Sequence, residues 1–266
     1  MRSSYSLQVL SSSFRNSVVT KFTVTPVWLW LLNMMVVSFF TMFFFAALAD
    51  YVSNPDVSVE YVVIGNAVQS VAVTTVYSVA TVPGIQKHVG TLSSVASTPA
   101  SLFTVFLGMG IINIIGGFAA AAVSMTYASL LFGVSFASGN ILSVASVMVL
   151  ACLSLTGVGM MIGSIGLYLR TSEIIASVVA YIGLLLCGVN FPVSYLPEWL
   201  QVLAYCNPMT YAVEATRGAV AGAALADLWE PLAAMMSLGV LFFAVSWFAF
   251  RLFERLAARR GTMESF

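Results

Sequence analysis

The sequence predicts an all-α membrane protein: six transmembrane helices, an N-terminal amphipathic interfacial helix, and a re-entrant outer helical segment before the last span. Its 266 residues are 60% hydrophobic and 8% charged, with a mean hydropathy of +1.00, whereas a soluble domain carries roughly 25% charged residues. Its charges are spaced so that apolar runs of crossing length lie between them. Its basic residues gather on one side of the resulting topology.

Residues 1–25 come first. Leu7, Leu10, Phe14 and Val18 recur at helical spacing among Ser, Arg and Lys, which reads as a helix lying flat at the inner membrane surface. The run that follows ends in Ala47-Leu48-Ala49, a sequence like a signal cleavage site. That run is longer than the 7–15 residues of a secretory apolar region, so it reads as a retained span.

The spans follow from the charge gaps, because a charge at the centre of a spanning helix costs roughly 2.5–3.5 kcal/mol and a crossing needs about 20 apolar residues. Between Lys21 and Asp50 lie 28 uncharged residues, between Glu60 and Lys87 26, between Glu173 and Glu198 24, and between Glu230 and Arg251 20. Each gap holds one span. The 82 residues between Lys87 and Arg170 hold two, divided at the Gly, Ser and Asn cluster of 133–140. The predicted spans are 27–49, 61–82, 101–126, 141–168, 174–191 and 231–253. With six crossings both termini share a side, and nine of the ten basic residues fall there, leaving Arg217 opposite. Basic residues mark the cytoplasmic side, so both termini are expected in the cytoplasm.

Two connections stand out. Residues 83–100, PGIQKHVGTLSSVASTPA, form an inner loop long enough for a brief helix and a cytoplasmic contact. Residues 192–222 are apolar but broken by Pro192, Pro197 and Pro208. A spanning helix does not run through three such breaks, so this segment is expected at the outer interface or re-entering partway, packed against protein. Tyr195, Trp199, Tyr205 and Tyr211 suit an interfacial aromatic belt. Glu214 and Arg217, three apart, are expected to pair on one helical face.

Several functions are excluded. Ten basic and ten acidic residues balance to zero, which supports no nucleic-acid surface. One histidine cannot make a two-histidine metal motif, and neither Lys21 nor Lys87 precedes Ser or Thr, so there is no phosphate-binding Walker loop. Cys152, Cys187 and Cys206 form no CxxC pair and read as apolar filler. The polar residues within spans, Asn33, Asn66, Gln69, Asn113 and Asn190, suit interhelical hydrogen bonds, while Asn66, Gln69 and Asn190 are also candidates for lining a path.

The order of amphipathic start, six spans, GTLSSVASTP in the inner loop, NFPVSYLPEWLQ and then NPMTYAVEATR resembles the membrane subunits of type-2 ABC exporters. The resemblance covers almost the whole chain and is most specific from Phe191-Pro192 to Arg217. It implies a transport subunit that is not itself an enzyme, holds no cofactor, and is driven by two copies of a separate ATPase that binds ATP and Mg. It implies a second permease, identical or related, and an amphiphilic cargo in a prokaryotic inner membrane. By the same resemblance Lys87, His88, Gly90, Thr91, Leu92, Thr98 and Pro99 belong to a coupling helix that docks into the ATPase. Phe191, Pro192, Pro197, Trp199, Asn207, Pro208, Tyr211, Glu214 and Arg217 belong to an outer gate. Where the family carries acidic residues around the Gly-Thr-Leu, this chain has Gln86, Lys87 and His88 before it and Ser93 and Ser94 after, as one half of a heterodimer could. The alternative is an ion-gradient-driven secondary carrier or channel, disfavoured because no acid, base or histidine lies at mid-depth. A membrane-embedded protease would need such groups too.

Overall fold

Pro26 divides the first two helices. It cannot extend the preceding helix, and its carbonyl accepts the first bond of the next one from Trp30 N at 3.1 Å. In the computed structural model, which describes residues 2–52, 54–55, 57–96, 98, 100–134, 141–168 and 172–260, α1 (Arg2–Val24) is followed by α2 (Val27–Val52). α3 (Val59–Ala72) starts at Ser58, whose hydroxyl accepts from Tyr61 N, and continues through a π turn (Val73–Tyr77) into α4 (Ser78–His88). The short α5 (Leu92–Ala96) precedes α6 (Leu102–Phe132), which Ser101 caps and Gly133 ends at φ 68°. Then come α7 (Ile141–Tyr168), α8 (Ser172–Leu186), a 3-10 turn (Val193–Tyr195), α9 (Glu198–Tyr205), α10 (Pro208–Val220) and α11 (Trp229–Arg260). No strand occurs among the described residues.

Five segments are long and apolar enough to cross a membrane: Val27–Val52, Val59–Lys87, Leu102–Phe132, Ile141–Leu167 and Trp229–Leu256. This is a multi-pass membrane protein. The expected span at 174–191 differs from the other five. α8 has 15 residues, about 22 Å at 1.5 Å per residue, against a hydrocarbon core of about 30 Å. It stops because Gly188 adopts φ 72° and breaks the helical path.

α7 lies at the centre, and its glycines set how closely the neighbours approach. A methyl group on Gly157 would sit 2.7 Å from Gly239 O of α11, and one on Gly159 3.0 Å from Val76 O of the π turn. One on Gly163 would meet the ring of Pro83 at 3.2 Å. On α6, Gly108 admits α1 closely enough that a methyl there would lie 2.8 Å from Ser13 Cβ. These glycines of α6 and α7 are therefore used for packing within one chain, as small residues in membrane helices usually are.

α1 is helical as expected, and its covered face takes in Leu10, Phe14 and Val18 together with Ser13 and Ser17. Leu7 is 64% exposed, while Ser13 is buried. Ser17 Oγ donates to Met109 O at 3.0 Å, and Lys21 Nζ donates to Asn113 Oδ1 at 2.8 Å. Ser13, Ser17 and Lys21 join the apolar residues on the side facing α6 because α6 offers Gly108 and an amide there, which a search for apolar periodicity does not register.

Candidate functional site

The sequence-predicted residues gather at the two ends of the α3–α4 rod, here termed the loop end (83–100) and the cap end (192–222). At the loop end, Leu92 is buried with Leu102, Phe106, Met160, Leu167, Phe250 and Phe253. Leu92 is thus an anchor, not a surface contact. Thr91 Oγ1 donates to Gln86 Oε1 at 2.5 Å, and Lys87 Nζ donates to Leu167 O at 3.2 Å. Gly90, at φ 75°, turns the chain with nothing within 4 Å of where a Cβ would stand, and Val89 beside it is 68% exposed. Thr98 is exposed and bonds Val95 O at 2.7 Å. The His88 side chain and Pro99 lie outside the described residues. The loop end thus presents an exposed apolar tip on a well-anchored base.

At the cap end, Asn207 Oδ1 accepts from Met209 N at 3.0 Å, and Pro208 opens α10 where a missing N–H costs nothing. Phe191 and Pro192 are half-buried, Pro197 and Trp199 exposed, and Tyr211 lies 6.1 Å from the ring of Tyr205. The expected Glu214–Arg217 pair does not form: Glu214 is exposed and Arg217 turns the other way. Its Nη2 donates to Tyr61 O and to Val189 O, each at 3.0 Å, and its guanidinium carbon lies 3.3 Å from the centroid of the Tyr61 ring. The physical reason is the broken end of α8. Residues 187–189 are buried yet not helical, and buried carbonyls need donors. Tyr61 Oη supplies Gly188 O at 3.2 Å, and Arg217 supplies Val189 O.

The stitching continues down α3. Asn66 Nδ2 donates to Asn190 Oδ1 at 2.8 Å and to Val62 O at 2.9 Å, and Gln69 Nε2 donates to Ala180 O at 3.0 Å. Gly65 leaves the room: a methyl group there would lie 2.9 Å from Arg217 Nη2 and inside contact distance of Val189 O. Tyr61, Gly65 and Gln69 are four residues apart and so share one helical face. Tyr61 and Gly65 were not singled out from sequence; that spacing opposite a proline-broken segment was the available signal. Asn66 Oδ1, Gln69 Oε1 and Arg217 Nε are buried without a partner among the described residues.

The anchored loop, the glycine-packed helices and the proline-broken cap all fall within the 8–221 stretch over which the chain matches the ABC-2 type transporter family. The chain belongs to that family. Probable multidrug ABC transporter permease YbhR of Escherichia coli (strain K12) is 26% identical over 132 residues, and so is its counterpart in Escherichia coli O157:H7. The match takes in 50% of this chain and 36% of each relative; the chain thus aligns with about a third of their length. The family match ends at the last turn of α10, so it includes Arg217 and leaves out α11.

Proposed function

We propose that this permease exports an amphiphile, a drug, lipid, lipopeptide or lipid-linked glycan, across a prokaryotic inner membrane. The relatives' description as multidrug permeases supports the drug-like end of that range. Power comes from two copies of an ATPase subunit that holds ATP and Mg, and the permease works opposite a second copy or a related chain. The loop end faces the cytoplasm with both termini, as the segregation of basic residues supports. α8 makes the sixth crossing together with residues 187–192: about 22 Å of helix plus six residues of up to about 3.3 Å each exceeds 30 Å. The burial of residues 187–189 makes that break tolerable at membrane depth.

Energy crosses as a difference in contact between ATP-bound and free states of the partner. A push on the loop tip reaches Leu92, whose cluster joins the ends of α6, α7 and α11. At the cap end the α3 ladder releases α8 and α10, and the unpartnered oxygens of Asn66 and Gln69 then line the path with Asn190.

The observation that carries this reading is the exposed Val89–Gly90 tip on an anchored base. Val89→Asp is expected to leave the chain folded and inserted while weakening co-purification of the ATPase by at least about tenfold, as for a central interface residue. Full retention of both ATPase and ATP-dependent transport would overturn it. Transport in vesicles that survives without the ATPase and follows an ion gradient would point instead to a secondary carrier.

A further inference from the structure

A cavity of about 320 Å³ opens between α1, α4 and α6, remote from the cap end and bordered by Ile85 and Gln86 of the loop end. Lys21 is the one charged residue among those lining it, and no carboxylate is among them. Its ammonium donates once to Asn113 Oδ1 at 2.8 Å and stands 5.0 Å from the centroid of the Trp30 ring. An ammonium has three donors, and a half-buried cation without a counter-charge is a desolvation cost that an external anion offsets. Burial already holds its pKa below the ordinary lysine value.

The site is built. Asn113 is aimed at Lys21 because its Nδ2 donates to Ser78 O at 3.2 Å, and α1 is pinned to α6 through Ser17 and Gly108. Gln86, also in the lining, uses its oxygen on Thr91 and keeps its amide donors for a ligand. Ser17, Thr20 and Thr81 share the wall with Val82 and Met109, and Tyr77 in the lining is 38% exposed.

Depth suggests the source of the anion. Asn113 is the twelfth residue of α6, so 19 residues, about 29 Å, lie beyond it toward Phe132, nearly the whole hydrocarbon thickness of about 30 Å. With Phe132 taken as the far edge of the hydrocarbon, Lys21 falls at the headgroup level of the leaflet on the loop side. Calling that leaflet cytoplasmic rests on the proposed orientation; the anion site does not.

We propose that this cavity binds the phosphate ester headgroup of a membrane lipid, with Lys21 as the cation, Asn113 as its positioning residue, and the acyl chains leaving past Tyr77 toward the membrane interior. The volume suits a headgroup and its first methylenes, at the lower end of small-ligand sites. Occupancy would tie α1 to α4 and α6 independently of any cargo.

The test is retention of added lipid by the permease purified from membranes, read by native mass spectrometry and by thermal shift. Phosphatidylglycerol should be retained and stabilise the protein, and phosphatidylcholine should do so much less. Lys21→Gln should weaken phosphatidylglycerol about tenfold, and Lys21→Arg should preserve binding, as expected for a charge-assisted contact. Asn113→Asp, which supplies a counter-charge from within, should also abolish retention, and it serves if Lys21→Gln fails to fold. Equal retention of phosphatidylglycerol by wild type and by the Asn113→Asp or Lys21→Gln protein overturns the site. Inorganic phosphate that displaces the lipid at equal concentration overturns the assignment to a lipid. No arm involves the ATPase or transport, so failure here is distinguishable from failure of the export reading.

Discussion

Arg217 shows how one side chain can hold a broken helix. It serves two carbonyls and stacks on Tyr61, a combination that needs the planar fork of a guanidinium. Arg217→Ala should destabilise the permease by about 2–4 kcal/mol, since Val189 O is left without a donor at a cost of about 1–3 kcal/mol and the stacking on Tyr61, worth about 1–2 kcal/mol when desolvated, is lost. Arg217→Lys should fall between, because a point charge serves one carbonyl well and stacks poorly. Midpoints of thermal unfolding in detergent check the order, and a changed cargo profile at an unchanged midpoint would contradict it. Gly65→Ala should cost about 1–3 kcal/mol by forcing a methyl against a backbone carbonyl that has no room to yield. At this scale the sequence showed Arg217 as an outlier in charge placement, yet suggested the wrong partner. Spacing along one helix identifies Glu214, whereas the donor-hungry backbone is 28 residues away in sequence and appears only after α8 has broken.

At the scale of elements, helix ends are tied by residues remote in sequence. Glu254 Oε1 on α11 accepts from Leu102 N, the first residue of α6, at 2.6 Å. A carboxylate at a helix N-terminus both satisfies an orphan donor and complements the dipole. Glu254→Ala should therefore lower stability by about 1–2 kcal/mol and Glu254→Gln by less. Hydrogen exchange at the first turn of α6 should rise in the same order, and unchanged protection there in Glu254→Ala would contradict the tie. Five crossing segments were legible because each is a long charge-free run. α8 was over-extended, since its charge gap continues through Gly188 to Glu198 and composition does not register a glycine in a left-handed conformation.

For the molecule as a whole, two buried clusters divide the packing. One surrounds Leu92 at the loop end; the other includes Val63, Ala67, Leu155, Val189 and Met209 toward the cap. The α3–α4 rod joins both clusters through the π turn Val73–Tyr77. A π turn holds one residue more than the helix needs and is a frequent point of adjustment. Deleting Thr74 should restore plain helix without changing the facing of either flank. The expected outcome is a permease that still assembles with its ATPase but transports poorly, measured as ATP-dependent uptake against ATPase recovered on purification. Undiminished transport would show that the rod need not flex there.

Sequence alone determined the membrane class, five crossing segments and the family, because apolar length, charge placement and proline spacing act locally and persist in any packing. Tertiary structure alone decided that Leu92 anchors while Val89 projects, that Arg217 serves the end of α8, and that Lys21 borders a cavity with Asn113. Those assignments depend on which carbonyls and charges are left unmatched once the helices have docked, and that is a property of the assembled bundle.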